Sequence, residues 1–359
     1  MNHKTRALSL DLVSGRKKGL PAMAARAVLR AAALPYAVAT MLRSLAFDYG
    51  IIAKTRVERP VISIGNITTG GTGKTPMVEF VARHLRQQGL RVAILSRGYG
   101  AGAEGGSNDE ALMLDANLPD VPHLQGADRA ALARVAIDEL ETEAIVLDDG
   151  HQHRQLERDL NVVLVDATNP FGHGWTLPGG LLREPLRTGL KRANVVVLTR
   201  SDLVGAETRE TIRKRVARFA PAGFLWCESV HRPIEAIDFS GGVFEPGWLA
   251  GKDVALFCGL GNPDAFRATV EKLGARVRDV RWFPDHHRYS QQEIADLSRW
   301  VAASGAELAL TTQKDSVKLP VESLGGRPLL ALRIGMVFER GEPEFLAMLD
   351  ATARPRPND

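Results

Sequence analysis

The chain has 359 residues, 45% of them hydrophobic and 25% charged, with a net charge of +4. That is the make-up of an ordinary globular protein with room for two domains. Its two cysteines, Cys227 and Cys258, exclude a disulfide framework and suit a reducing, cytosolic environment. The charge is uneven: residues 1–59 carry a net +8 and the remaining 300 a net −4. A mildly acidic body, with no aromatics interleaved in the basic cluster, argues against a nucleic-acid-binding protein.

Residues 1–59 form a basic arm that includes Arg16-Lys17-Lys18 and a helical stretch from Ala22 to Ala46. The longest uncharged apolar run, Ala31 to Leu42, is about half of the ~20 residues a spanning helix needs. Pro35 is expected to kink or divide it. Ala, Leu and Met with spaced Arg26, Arg30 and Arg43 fit a basic amphipathic helix lying in a membrane interface. Leu29, Leu34 and Leu42 would enter the acyl boundary. A helix packed on the protein's own body is the alternative.

Residues 60–220 alternate strands with helices. Strands are expected at Val61–Gly65, Arg91–Ser96, Ala144–Leu147, Val162–Val165 and Val195–Leu198. Helices are expected at Thr75–Gln88, Asp128–Leu140 and Glu207–Phe219. Near-continuous apolar strands between helices imply a parallel sheet covered on both faces, an α/β/α sandwich. Pro, Gly and aromatics in residues 221–248 mark a linker with strands of its own. Residues 249–345 resume the pattern as a second, smaller α/β domain. Its strands are expected at Val254–Cys258, Val277–Phe283, Glu307–Leu310 and Leu329–Arg333, and its helices at Pro263–Leu273 and Gln291–Ser304. Residues 346–359 read as a tail, disordered from Ala353 on.

The chemistry is concentrated after the first strand. Gly65 to Pro76 reads Gly-Asn-Ile-Thr-Thr-Gly-Gly-Thr-Gly-Lys-Thr-Pro. A strand feeding a Gly-rich turn that ends in Gly-Lys-Thr holds a nucleoside triphosphate, so the fold is read as P-loop NTPase-like. Thr68, Thr69, Gly70, Gly71, Thr72, Gly73, Lys74 and Thr75 are the expected ATP-binding residues, with Lys74 reaching the β and γ phosphates and Thr75 on Mg²⁺. The common pattern begins with Gly, and here Thr68 stands at that place.

Asp148 and Asp149 end a buried strand, at the edge where ligands sit in such sheets. An acid there holds Mg²⁺ directly or through water. His151 and His153 follow, but four zinc ligands are not in view. Asp285-His286-His287 suits either a proton relay or a polar loop. Asp109-Glu110 could orient the attacking hydroxyl, and Arg183-Glu184 is a charged pair whose Arg suits phosphate. Thr199-Arg200-Ser201-Asp202 weakly echoes the guanine-reading element of GTPases.

Together these residues resemble the tetraacyldisaccharide 4′-kinase family, the lipid A kinases of Gram-negative bacteria. The likeness rests on the Gly65–Pro76 loop, Ser96-Arg97-Gly98-Tyr99-Gly100 and Asp148-Asp149-Gly150-His151-Gln152-His153. Leu177-Pro178-Gly179-Gly180 through Glu184-Pro185, Phe283-Pro284-Asp285-His286 and Thr312-Gln313-Lys314-Asp315 add to it. The resemblance implies ATP- and Mg²⁺-dependent phosphorylation of the 4′-hydroxyl of a tetraacylated glucosamine disaccharide 1-phosphate. It implies peripheral attachment to the cytoplasmic face of the inner membrane, with no nucleic acid and no obligate protein partner. It also implies two α/β/α domains joined by a two-stranded linker, with the active site in the cleft between them.

The same resemblance gives Asp109 as catalytic base, supported by His286, with Lys74 and Asp149 also catalytic. Thr75, Asp148, Asp149, Gln152 and Glu184 fall to the metal, and Arg97, Arg129, His153 and Arg183 to the substrate. The family's Gly-Asp-Glu-Pro is Asn108-Asp109-Glu110-Ala111 here, so the acids are kept without the Gly and Pro that shape the turn. The rival reading is a regulatory switch NTPase, a partner-binding P-loop protein or a GTPase reading guanine through Thr199–Asp202.

Overall fold

The computed structural model describes residues 11–98, 109–285 and 287–354, the side chains of Asp109 and Glu110 excepted. The chain divides into two compact units. The first comprises residues 1–98, 120–230 and 336–359, the second residues 99–119 and 231–335.

In the first unit a 29-residue helix, α1 (Leu20–Asp48), precedes the sheet. Strand β1 (Val61–Asn66) leads through the Gly-rich loop to helix α2 (Lys74–Gln87). Then come β2 (Val92–Ser96) and, in the second unit, helix α3 (Asp109–Asn117). The first unit resumes with β3 (His123–Gln125), α4 (Arg129–Asp138), β4 (Ala144–Asp148) and β5 (Leu160–Asp166). The short helix α5 (Leu186–Leu190), β6 (Val195–Thr199), α6 (Ala206–Ala217) and the start of β7 (Leu225–Asp238) follow. The sheet order is β3-β2-β4-β1-β5-β6-β7, and every pair is parallel. Alternate strand residues feed two separate cores. Val163, Val165, Val196 and Leu198 pack with Ile212 and Val216 of α6, and Leu95, Ile145 and Leu147 pack with Ala133 of α4. Buried apolar residues on both faces are what a parallel sheet between helix layers requires.

The second unit holds β8 (Val243–Phe244), β9 (Asp253–Cys258), α7 (Pro263–Lys272), β10 (Arg276–Trp282), α8 (Gln291–Ala303) and β11 (Leu308–Thr312). One-turn helix α9 (Gln313–Ser316), β12 (Ser323–Leu324) and most of β13 (Arg327–Arg340) complete it. Its parallel order is β10-β9-β11-β13. A full capping box at Ser290 and Glu293 starts α8.

Two expectations change. Pro35 does not divide the arm, because α1 runs through it. Docking on both sides of the proline offsets the ~3 kcal/mol an interior proline costs: Thr176 Oγ1 donates to Ala33 O at 3.1 Å, Tyr36 Oη to Arg183 O at 3.0 Å, and Arg154 to Ser44 O. Residues 346–353 are not a tail, since helix α10 (Glu342–Ala353) belongs to the first unit, while residues 355–359 lie outside the described residues. Its Phe345 packs in a ring cluster with Phe80 of α2 and Phe338, with centroids 5.0–6.3 Å apart, and its Asp350 meets His84. Asp109-Glu110 start α3, whose Ala111 and Leu114 are buried.

Candidate active site

The site in the first unit lies at the carboxyl end of β1, where the chain order switches direction across the sheet. Ligands bind at such edges in open α/β sheets. The register sets Ile64 opposite Asp148, so the end of β4 lies beside the start of the loop. Gly65 is needed here because a Cβ would fall 2.6 Å from His151 Cβ and 2.8 Å from His151 N.

The place of Thr68 in the loop now has a physical reason. Residues 67–69 run as an extended segment against residues 181–183. Thr69 N donates to Leu181 O at 2.8 Å, Arg183 N donates to Ile67 O at 2.9 Å, and Thr68 bridges Leu182. Extended backbone does not demand glycine. The left-handed positions come later, at Gly70 (φ 127°) and Gly73 (φ 86°), and both are glycines. Asn66 Nδ2 braces the loop from below by donating to Thr72 Oγ1 at 2.9 Å. Because the Thr69 N–H is already bonded, the free cradle runs from Gly70 to Thr75, and Thr68 and Thr69 act as its anchored stem. Helix α2 begins at Lys74, with its positive end at the cradle.

Asp149 is the hub of the charges. Lys74 Nζ lies 3.8 Å from its Oδ1, and Arg183 Nη1 donates to both its oxygens at 2.9 and 2.8 Å. Burial alone would raise its pKa, but Lys74 and Arg183 hold it below the usual carboxylate value. Asp149 has φ 50°, an uncommon backbone for a non-glycine residue, so the chain turns sharply to aim it.

A second tier supports the first. Gln152 Nε2 donates to Asn66 O at 2.9 Å and Glu184 Oε1 at 3.1 Å, while its Oε1 accepts from Arg183 at 3.3 Å. Glu184, 5% exposed, receives both terminal nitrogens of Arg192 at 2.7 and 3.0 Å. Desolvation works against its charge, but Arg192 outweighs it and keeps the carboxyl ionised. Both Glu184 oxygens thus accept from Arg192, and Oε1 also holds the Gln152 amide. Arg192 carried no signal in the sequence. Burial, then repulsion from Arg192, lowers the His151 pKa to about 3. Its Nε2 is 3.0 Å from Gly189 O, so the neutral ring donates there.

Arg129, buried at the first turn of α4, acts electrostatically on both Asp149 and His153. Burial and Arg129 push His153 down to about 4. Arg97 follows β2 and is exposed. Asp109 starts α3 in the second unit, where Asn117 Nδ2 donates to Gln313 Oε1 at 3.3 Å, and its side chain is outside the described residues. His286 lies outside them as well. In the GTPase-like element, Arg200 is paired with Asp166.

The described residues contain no cluster of three His, Cys, Asp or Glu side chains that could hold a metal alone. The Thr75 hydroxyl and the Asp148 carboxylate nonetheless supply hard oxygens of the kind that share Mg²⁺ with a nucleotide's phosphates, so the donor set fits that ion. Parallel sheet, anchored glycine loop, helix-start lysine and strand-end carboxylates define a P-loop phosphotransferase.

The comparisons narrow that class to one family. The model described as tetraacyldisaccharide-1-P 4′-kinase matches residues 25–354, and the chain belongs to this family. A protein named tetraacyldisaccharide 4′-kinase from Anaeromyxobacter sp. (strain K) is 42% identical over 93% of each chain. One of the same name from Syntrophus aciditrophicus is 38% identical over 83% of this chain and 85% of its own. Among solved structures, LpxK from Aquifex aeolicus in complex with ATP superposes with a TM-score of 0.74 at 28% identity, covering 92% of this chain and 99% of that one.

Proposed function

We propose that this protein transfers the γ-phosphate of ATP to the 4′-hydroxyl of a tetraacyldisaccharide 1-phosphate, working peripherally at the cytoplasmic face of the inner membrane. The observation that carries the reading is the convergence of Lys74 and Arg183 on Asp149 beside the glycine cradle. Family membership supports the substrate.

In this reading the N–H groups from Gly70 to Thr75 and the positive end of α2 bind the triphosphate. Lys74 and Arg183 neutralise charge developing on the transferred phosphoryl group, and Asp149 holds both cations in place until the nucleotide enters. Thr75 and Asp148 would hold Mg²⁺, which would supply further charge neutralisation on the phosphates. Asp109, assisted by His286, accepts the proton of the 4′-hydroxyl, and Arg97, Arg129 and His153 contact the substrate or nucleotide.

The membrane part rests on α1. It is long and apolar enough to cross a bilayer by length and composition alone. Its side contacts with Thr176, Arg183 and Arg154 fasten it to the unit, so we assign it to the interface. Leu20, Met23, Val28, Leu34 and Leu42 are each more than half exposed and would enter the acyl boundary.

The test is phosphate transfer from γ-labelled ATP to the detergent-dispersed tetraacyl disaccharide 1-phosphate. A 4′-phosphorylated lipid that requires Lys74 is expected. Absence of lipid product, or clear preference for GTP in equilibrium binding, would overturn the reading in favour of a switch NTPase.

A further inference from the structure

A second concave site lies away from the glycine cradle, at the amino ends of β5 and β6. It is a cavity of about 290 Å³, near the lower bound of small-molecule pockets (about 300 Å³). Five cations line it: Lys54, Arg154, Arg158, Lys191 and Arg192. Most are already balanced. Arg154 and Lys191 share Asp48 of α1, Arg192 holds Glu184, and the wall acids Glu157 and Asp159 face Arg56. Counted with these neighbours, the cluster keeps an excess of two positive charges, those of Arg158 and Lys54.

These two residues set the chemistry. Arg158 is half-buried and forms no ion pair among the described residues. It donates to Asn161 Oδ1 at 3.2 Å, His153 O at 2.8 Å and Leu156 O at 3.2 Å, all uncharged. Glu184 and Glu157 act on it from a distance, but a desolvated guanidinium with no carboxylate in contact is costly. Burial and the nearby Arg192 and Arg154 lower its pKa to about 10. Lys54 is exposed at the rim and also unpaired among the described residues. A fork of guanidinium nitrogens beside a mobile ammonium suits a phosphate group better than a single carboxylate.

We propose that this pocket binds a phosphate group, with Arg158 at its base and Lys54 at its mouth. The inference does not depend on the phosphotransfer reading. The phosphate belongs either to a membrane lipid headgroup or to a free anion. The segment from α1 to Lys54 exposes Tyr49 and Ile51, each 79% accessible, which an acyl layer would cover if the source is lipid.

The test uses the full-length protein with its glycine cradle saturated by a non-hydrolysable ATP analogue and Mg²⁺. Inorganic phosphate is titrated by calorimetry, and flotation is measured with vesicles of phosphatidylcholine alone and with added phosphatidylglycerol. Arg158→Gln should weaken the affected probe about tenfold, the worth of one charge-assisted contact, and Lys54→Gln about threefold, with the analogue's affinity unchanged. Loss on phosphate alone assigns a free anion, and loss on phosphatidylglycerol vesicles assigns a headgroup. Should Arg158→Gln fail to fold, the exposed Lys54→Gln carries both arms. Wild-type behaviour of the variants on both probes overturns the proposal.

Discussion

Arg183 donates to both carboxylate oxygens of Asp149 through a single nitrogen, at 2.9 and 2.8 Å. Its backbone N–H is meanwhile fastened to Ile67 O at the stem of the glycine loop. The same residue therefore fixes the height of the loop and the direction of the acid. Lys74, which leads α2, meets that acid from the other side. Loop, helix start and strand-end acid form one mechanical unit.

Lys74→Ala and Asp149→Asn are each expected to lower kcat by about 10²–10³, the cost of losing one pre-organised charge at a developing phosphoryl transition state. Arg183→Lys keeps the charge but cannot reproduce the guanidinium contacts to Asp149 and Gln152, so it should lie between wild type and Arg183→Ala. Steady-state kinetics on the lipid substrate checks the order. Because the Asp149 pKa is held below its ordinary value, its charge is complete at neutral pH. Any activity change above about pH 5 must come from another group, and retention of full activity by Asp149→Asn would refute its role.

The pair of Glu184 and Arg192 is nearly solvent-free, with side chains 7% and 9% exposed. Removing one partner of such a pair leaves an uncompensated buried charge, at a cost of about 3–5 kcal/mol. Glu184→Gln should lose about that much stability in urea unfolding, and kcat should fall as well, because a neutral amide oxygen is a weaker acceptor for Gln152 than the carboxylate. The double variant Glu184→Gln, Arg192→Met should recover part of the stability. No recovery would mean the two residues are not coupled.

Much of this was legible in the sequence, and the parts that were not have identifiable causes. Strands β1, β4, β6 and β9 were visible because their apolar runs are unbroken, and α7 and α8 because Pro263 and Ser290 mark their starts. Helix α10 was missed because Pro343 and the acids Glu342, Glu344 and Asp350 mask an apolar face that packs on Phe80 and Phe338. The loop, Lys74 and the two acids were readable because each chemistry needs those residue types at fixed spacing. Arg192 was not, because its partner Glu184 lies eight residues away across α5 and no local pattern links them.

His151 is neutral in the fold, its pKa depressed from 6.5 to about 3 by burial and Arg192. The unfolded chain takes up that proton first as the pH falls below 6.5. Stability is therefore full above that pH and declines until the folded pKa is reached. At pH 5 the loss is about 2 kcal/mol for this one residue. His153, depressed to about 4 but only partly buried, adds less. Urea unfolding at pH 7.5 and pH 5.0 measures the drop. His151→Leu starts less stable, having lost its bond to Gly189 O, but should lose less between the two pH values. An equal loss in variant and wild type would assign the pH dependence to other groups.

Helix α1 is held by close backbone contact with Gly179. A Cβ on Gly179 would lie 2.9 Å from Arg30 Cα and 3.1 Å from Leu29 O, so the helix backbone seats directly on this glycine. Gly179→Val should lift that part of α1 and, through Tyr36 and Arg183, disturb the stem of the glycine loop. Activity should fall even on detergent-dispersed substrate. Leu34→Asp and Leu42→Asp act on the opposite side, where the side chains are 58% and 57% exposed. Each removes about 1.5–3 kcal/mol of burial in the acyl layer, or about ten- to a hundredfold in vesicle affinity. ATP binding should be untouched, because neither side chain faces the cradle. Flotation with lipid vesicles beside nucleotide binding separates the two roles. Undiminished flotation of both leucine variants would remove α1 from the interface and leave it as a brace for Arg183 alone.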